Sequence, residues 1–148
     1  MTAPPPKRAL AILLVEDHLA DARLVLESFR ESGAPHHVDH VRDGIEALDF
    51  LRRTPPFERA RLPDLILLDL NLPRMDGREL LAVIKSDPAL HAIPVVVLTT
   101  SSAEKDVVRA YELRGNCYVT KPLDLDGLLR VMHAIEEFWL TVVRYPSR

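Results

Sequence analysis

Two periods alternate along the chain. Unbroken apolar runs occur at Leu10-Ala-Ile-Leu-Leu-Val15, Leu65-Ile-Leu-Leu68, Val95-Val-Val-Leu98 and Cys117-Tyr-Val119. Short runs with no polar residue at alternate positions predict strands buried on both faces, as in a parallel sheet. The more polar run His37-Val-Asp-His-Val41 predicts an outer strand. Between the runs, apolar residues fall at helical spacing. The stripes are Ala22, Val25, Leu26 and Phe29; Ile45, Leu48 and Leu51; Leu80, Leu81 and Ile84; Val107, Val108 and Tyr111; and Leu125, Leu128, Leu129, Met132, Ile135 and Trp139. Asp43 and Glu46, Asp76 and Glu79, and Ser101 and Glu104 have the spacing of a capping box, and Asp124 can cap the last helix. Five strands alternating with five helices predict an α/β fold, a doubly wound five-stranded parallel sheet covered on both faces, with right-handed crossovers.

Punctuation sets the boundaries. Residues 1–8 hold three consecutive prolines and predict a disordered lead-in. Residues 9–138 form one domain and 139–148 a C-terminal tail. The stretch 54–63, with Pro55, Pro56 and Pro63, predicts a long surface connection.

Composition narrows the class. At 148 residues, 47% apolar and 28% charged, the chain has room for one domain with a real core, which excludes disorder as its main state. No apolar stretch approaches the roughly 20 residues of a membrane span, and no secretory leader is present, so a cytoplasmic location is the expectation. The single cysteine, Cys117, excludes an internal disulfide and a thiolate metal cage, and reads as a small buried hydrophobe. The net charge of −3, without a basic stripe or helix-turn-helix pattern, points away from nucleic acid. The five glycines spell neither a P-loop nor a dinucleotide fingerprint. His36, His37 and His40 crowd one strand, but an outer strand predicts exposed histidines rather than a metal site.

Open parallel sheets bind ligands at the carboxyl ends of their strands. Glu16 and Asp17 follow the first strand, Asp69 the third, Thr99 the fourth, and Lys121 with Pro122 the fifth. Two carboxylates about 5 Å apart repel by roughly 3 kcal/mol at an effective dielectric constant near 20, so three together require a cation. Hard oxygen donors suit magnesium. Such an ion could neutralise a phosphoryl group on its way to a carboxylate, with Lys121 and Thr99 holding phosphoryl oxygens. The nucleophile is then the carboxylate least committed to metal, and Asp69 is the candidate.

Glu16-Asp17, Leu67-Leu-Asp-Leu-Asn-Leu-Pro-Arg-Met-Asp-Gly77, Leu98-Thr-Thr100 and Tyr118-Val-Thr-Lys-Pro122 resemble the receiver domain of two-component response regulators over about residues 10–138. The resemblance implies a flavodoxin-like strand order 2-1-3-4-5. It implies Asp69 as phosphoacceptor, Glu16, Asp17, Asp69 and the Asn71 main-chain oxygen around magnesium, and Lys121 on the phosphoryl group. It further implies Thr99 and Tyr118 as switch residues and a cis peptide bond before Pro122. Val95-Val-Val-Leu-Thr-Thr-Ser-Ser-Ala-Glu104, Asn116-Cys-Tyr-Val-Thr-Lys-Pro122 and Phe138-Trp-Leu-Thr-Val-Val143 are similar to the single-domain regulators that partner bacterial and cyanobacterial phytochromes. That likeness implies a sensor histidine kinase, a bacteriophytochrome, as partner, and output through a downstream protein. Two departures stand out: Glu16 replaces the commoner Asp, and Arg114-Gly115 replaces Gly-Ala.

Other classes remain in view. An aspartyl-phosphate phosphatase on a similar sheet needs a second acid two residues after the nucleophile, where Asn71 stands. A pseudo-receiver scaffold has no use for Asp17, Asp69, Thr99 and Lys121 together. In the tail, Phe138, Trp139, Val142, Val143 and Tyr145 follow a nearly complete last helix. They predict a homodimer contact, the alternative being that they fold back as extra core.

Overall fold

Five parallel strands pair in the order β2-β1-β3-β4-β5. They are β1 (Ala11–Val15), β2 (His37–Val41), β3 (Leu65–Leu68), β4 (Val95–Thr99) and β5 (Cys117–Thr120) in a computed structural model that describes residues 9–31, 36–99, 117–122 and 124–139. Four helices are described: α1 (Leu19–Glu31), α2 (Gly44–Arg52), α3 (Gly77–Ser86) and α4 (Leu125–Glu137). The helix expected around Val107, Val108 and Tyr111 lies outside the described residues, as do Arg114, Gly115, Val142, Val143 and Tyr145.

The pleat divides each strand between two cores. Leu13 and Val15, Ile66 and Leu68, and Val95 and Val97 face α2 and α3, where Leu48, Leu51, Leu80, Leu81 and Ile84 meet them. Ile12 and Leu14, Leu65 and Leu67, and Val96 and Leu98 face α1 and α4, against Ala22, Val25, Phe29, Leu128, Met132 and Ile135. Both faces being covered explains why the sequence shows runs rather than alternation. Each large side chain removed from water here contributes roughly 1.5–3 kcal/mol.

Capping follows the sequence signals. The Asp43 carboxylate accepts from the Glu46 N–H at 2.8 Å, Asp76 from Arg78 at 3.1 Å, and Asp124 from Gly127 at 2.5 Å. Two stripe positions depart from expectation. Ile45 and Leu125 open their helices and are exposed, Leu125 by 61%. Leu125 directly follows its cap and Ile45 stands one residue further in; each overhangs the end of the core, while the next turn carries the stripe inward. Trp139 also departs from expectation: it packs against its own α1/α4 core rather than lacking a partner within the chain. It continues the spacing of Leu128, Met132 and Ile135 by one more turn. Phe138, edge-on to Trp139 at 5.6 Å between ring centroids, is 52% exposed.

Gly77 starts α3 hard against the segment that follows β3. Its N–H donates to the Leu70 carbonyl at 2.9 Å, and a Cβ there would lie 2.5 Å from the Asp69 carbonyl oxygen and from Leu70 Cα. Both are backbone atoms, so Gly77→Ala must displace the Asp69 segment. Equilibrium urea unfolding of Gly77→Ala should show a loss of about 1–3 kcal/mol, the usual cost of overpacking.

Candidate functional site

Parallel strands that start level also end level, so the residues after β1, β3 and β5 arrive on one edge of the sheet. Two main-chain bonds and one from a side chain fasten that edge. The Glu16 N–H donates to the Val41 carbonyl at 3.0 Å and the Asp69 N–H to the Val15 carbonyl at 3.0 Å. A ring nitrogen of His40, Nε2, lies 2.8 Å from the Glu16 carbonyl. Glu16, Asp69 and Lys121 are each buried.

At the centre is the Lys121 ammonium. It donates to Glu16 Oε1, to Asp69 Oδ2 at 3.1 Å and to Asp21 Oδ2 at 3.0 Å. The second Glu16 oxygen accepts from the His18 N–H at 3.1 Å, and Asp69 Oδ1 accepts from the Asn71 N–H at 3.0 Å. A cavity of about 370 Å³ opens over this cluster, lined also by Asp17 and Pro122. Asp17 is 46% exposed, with the Arg42 guanidinium 3.9 Å away. Thr99 ends β4 in register with Thr120, the residue before Lys121. Tyr118 packs against the α2/α3 core.

Three carboxylates thus surround one ammonium, and a fourth, Asp17, lines the same cavity. Burial pushes the Glu16 carboxyl up to about 7; the hydrogen bond from Lys121 opposes the rise and the charge of Asp69 adds to it. Burial alone would lower the Lys121 ammonium, but the hydrogen bond to Glu16 and the charges of Asp69 and Glu16 outweigh it, so its pKa is raised. The lysine is a fixed cation, and Glu16 holds the surplus proton near neutrality.

The donor set matches a hard divalent cation in kind: carboxylate oxygens of Glu16, Asp17 and Asp69 and the Asn71 carbonyl, with more negative charge than one ammonium balances. Among the described residues no three His, Cys, Asp or Glu side chains form a ready metal cluster. The histidine expectation holds for His37, which is exposed, but His36 and His40 are half-buried. His36 Nδ1 accepts from the Leu10 N–H at 3.0 Å, so both serve main-chain pairing. The cis peptide bond expected before Pro122 is corrected: among the described residues the cis bond joins Pro55 to Pro56. Trans is the lower-energy form of an X-Pro bond by about 0.5–1 kcal/mol, and Lys121 reaches all three carboxylates from it.

Two participants carried no clear sequence signal. Asp21, in the first turn of α1, looks like an ordinary dipole-complementing acid. Asp43 looks like a cap only, yet Arg74 forks onto it, Nε to Oδ2 and Nη2 to Oδ1, both at 2.9 Å. Arg74 has φ 63°, a left-handed conformation that costs a non-glycine residue roughly 1 kcal/mol or more. The fork ties the loop between Asp69 and α3 to the start of α2.

The raised Glu16 has a sign that can be tested. Its folded-state pKa lies above the unfolded reference of 4.5, so the folded metal-free protein holds the proton more tightly. The resulting stabilisation is complete below pH about 4.5 and is lost as pH rises through about 7, at up to about 1.4 kcal/mol per pH unit. The Glu16 carboxyl ¹³C resonance should titrate near 7 in metal-free protein and at lower pH once magnesium is added.

Comparison with known proteins agrees with this geometry. Residues 12–133 match the response regulator receiver domain. The chain is 51% identical over 143 residues to response regulator Rcp1 of Synechocystis sp., covering 97% of this chain and 95% of that protein. It resembles the crystal structure of the phosphorylated cyanobacterial phytochrome response regulator RcpA with a TM-score of 0.91 and 52% identity, over 95% of this chain and all of that one. It also resembles the Mn²⁺-bound form of Rcp1, with a TM-score of 0.90 and 51% identity over 93% of this chain and 99% of that one. A parallel sheet in the order 2-1-3-4-5, an acidic cluster gathered round a lysine at its carboxyl edge, and this degree of likeness have one explanation: the chain belongs to the response regulator receiver domain family.

Proposed function

We propose that this chain accepts a phosphoryl group on Asp69 from a sensor histidine kinase of the phytochrome type and signals by changing its protein contacts. The observation that carries the reading is the double hold on Asp69. A main-chain N–H from Asn71 fixes Oδ1, and the Lys121 ammonium holds Oδ2 at the floor of an open cavity. The main-chain donor cannot leave; the lysine head can. Oδ2 is therefore the attacking oxygen. Its lone pair forms the new O–P bond while the P–N bond of a phosphohistidine breaks, and the leaving imidazole keeps that electron pair. Lys121 passes from Oδ2 to a phosphoryl oxygen, where its charge offsets the added negative charge. Glu16, Asp17, Asp69 and the Asn71 carbonyl would hold Mg²⁺, which supplies further charge neutralisation at the phosphoryl group. Support for a divalent ion comes from the Mn²⁺-bound relative, and support for the kinase class from the phytochrome regulators that the chain resembles.

The chain is a phosphoacceptor rather than a turnover enzyme, because the position two after Asp69 is Asn71, whose side-chain amide cannot serve as the second acid that a phosphatase of this kind needs. Thr99 and Tyr118 relay the added charge to the surface, for a downstream protein to read. The protein works as a cytoplasmic homodimer through Phe138, Val142, Val143 and Tyr145; the exposure of Phe138 supports this contact. No helix among the described residues is long and apolar enough to cross a membrane.

With magnesium and acetyl phosphate, intact-mass measurement should detect one added phosphoryl group, absent in Asp69→Asn. Undiminished labelling of that variant would refute the assignment. Light scattering at high micromolar concentration should give a dimer for the unmodified chain and a monomer for Phe138→Asp, whose melting temperature should match that of the unmodified chain diluted until it is monomeric.

A further inference from the structure

An ammonium has three N–H donors, and Lys121 has spent all three on carboxylates: Glu16, Asp21 and Asp69. A phosphoryl oxygen can be contacted only if one of these is given up. Glu16 is buried with Lys121, and its other oxygen is tied to the His18 N–H. Asp69 is the acceptor itself. Asp21 is the remaining partner and differs from both. It comes from α1 rather than from a strand end, and its side chain is 26% exposed against 3% for Lys121, so it holds the ammonium from the rim of the cavity. His18 does not relieve it. The His18 Nδ1 accepts from the Asp21 N–H at 3.3 Å, so that nitrogen has no proton to offer Asp21 Oδ2.

We infer that Asp21 is a positioning residue that competes with the phosphoryl group for the Lys121 ammonium. It acts as a restraint that weakens the phosphorylated state and shortens its life. Before transfer it keeps the lysine aimed into the cluster; after transfer it draws the same charge back towards α1. A protein that must return quickly to its resting state gains from such a competitor. The inference rests on the phosphoacceptor reading of Asp69.

The test is a titration with beryllofluoride at saturating magnesium, followed by ¹⁹F NMR of the bound species, on the full chain, Asp21→Asn, Lys121→Met and the double variant. Asp21→Asn should bind beryllofluoride about tenfold more tightly, the scale of one charge-assisted hydrogen bond, and its aspartyl phosphate should hydrolyse correspondingly more slowly. In the Lys121→Met background the same change should have no effect. A tightening that acts through contact also persists from low salt to about 0.5 M, whereas a general field effect fades, and this comparison needs no Lys121 variant. Unchanged affinity in a folded Asp21→Asn protein, or equal tightening in both backgrounds, overturns the inference and leaves the phosphoacceptor reading standing. Failure of the unmodified chain to bind beryllofluoride at all removes both.

Discussion

The lysine between the carboxylates is the interaction on which the carboxyl edge of the sheet depends. Glu16 and Asp69 sit on neighbouring strands because β1 pairs with β3, and both are buried by the apolar runs that make those strands. Without a cation that arrangement is untenable at neutral pH. Lys121 arrives from β5, separated from β1 by two intervening strands in the sheet order, and ties three strand ends and the first turn of α1 to one atom. Breaking a buried pair by removing one partner costs roughly 3–5 kcal/mol, because the other charge stays behind. The same economy explains why the site can respond to new charge. An ammonium shared by several acceptors is redistributed by any additional anion, while the strands beneath it stay put.

A second set of contacts fixes the loop that carries the acceptor. Gly77 leaves no room between α3 and Asp69, and Gly44 leaves none between α2 and Met75, where a Cβ would meet the Met75 side chain at 2.7 Å. Arg74 forks onto Asp43 between these two contacts, which offsets its left-handed backbone. At the far end of α3, Lys85 buries its own ammonium on the carbonyls of His91 and Ile93, at 3.2 and 2.7 Å, and burial lowers its pKa. The helix after Asp69 is thus held at both ends by side chains that reach across loops.

Much of this was legible in the sequence. All five strands fall within one residue of the runs that predict them, and for β1, β3 and β4 the reason is that burial on both faces leaves a pattern that needs no knowledge of the partner strand. The site was legible for a related reason: a polar residue directly after such a run must lie at the strand's carboxyl end. What was not legible is pairing between elements. Asp21 and Lys121 are 100 residues apart and Asp43 and Arg74 are 31 apart, and no local period connects them. Ile45 and Leu125 were misplaced because a helical stripe says which face is apolar, not where the core beneath it stops. Trp139 was misplaced in the opposite sense, since its stripe runs on past the last charged residue of α4.

The outer strand β2 has a consequence for how copies of this chain can meet. It closes one side of the sheet, so its outward main-chain groups have no neighbouring strand among those described. A flat apolar strand in that place would invite another copy to extend the sheet. Instead β2 presents His37 paired with Asp39 at 3.2 Å, with His40 half-buried beside them. Docking a second strand would have to desolvate that polar pair. Polar residues on this border therefore work as a guard against runaway sheet growth, and they leave helical surfaces as the route by which such a chain can associate and still come apart again.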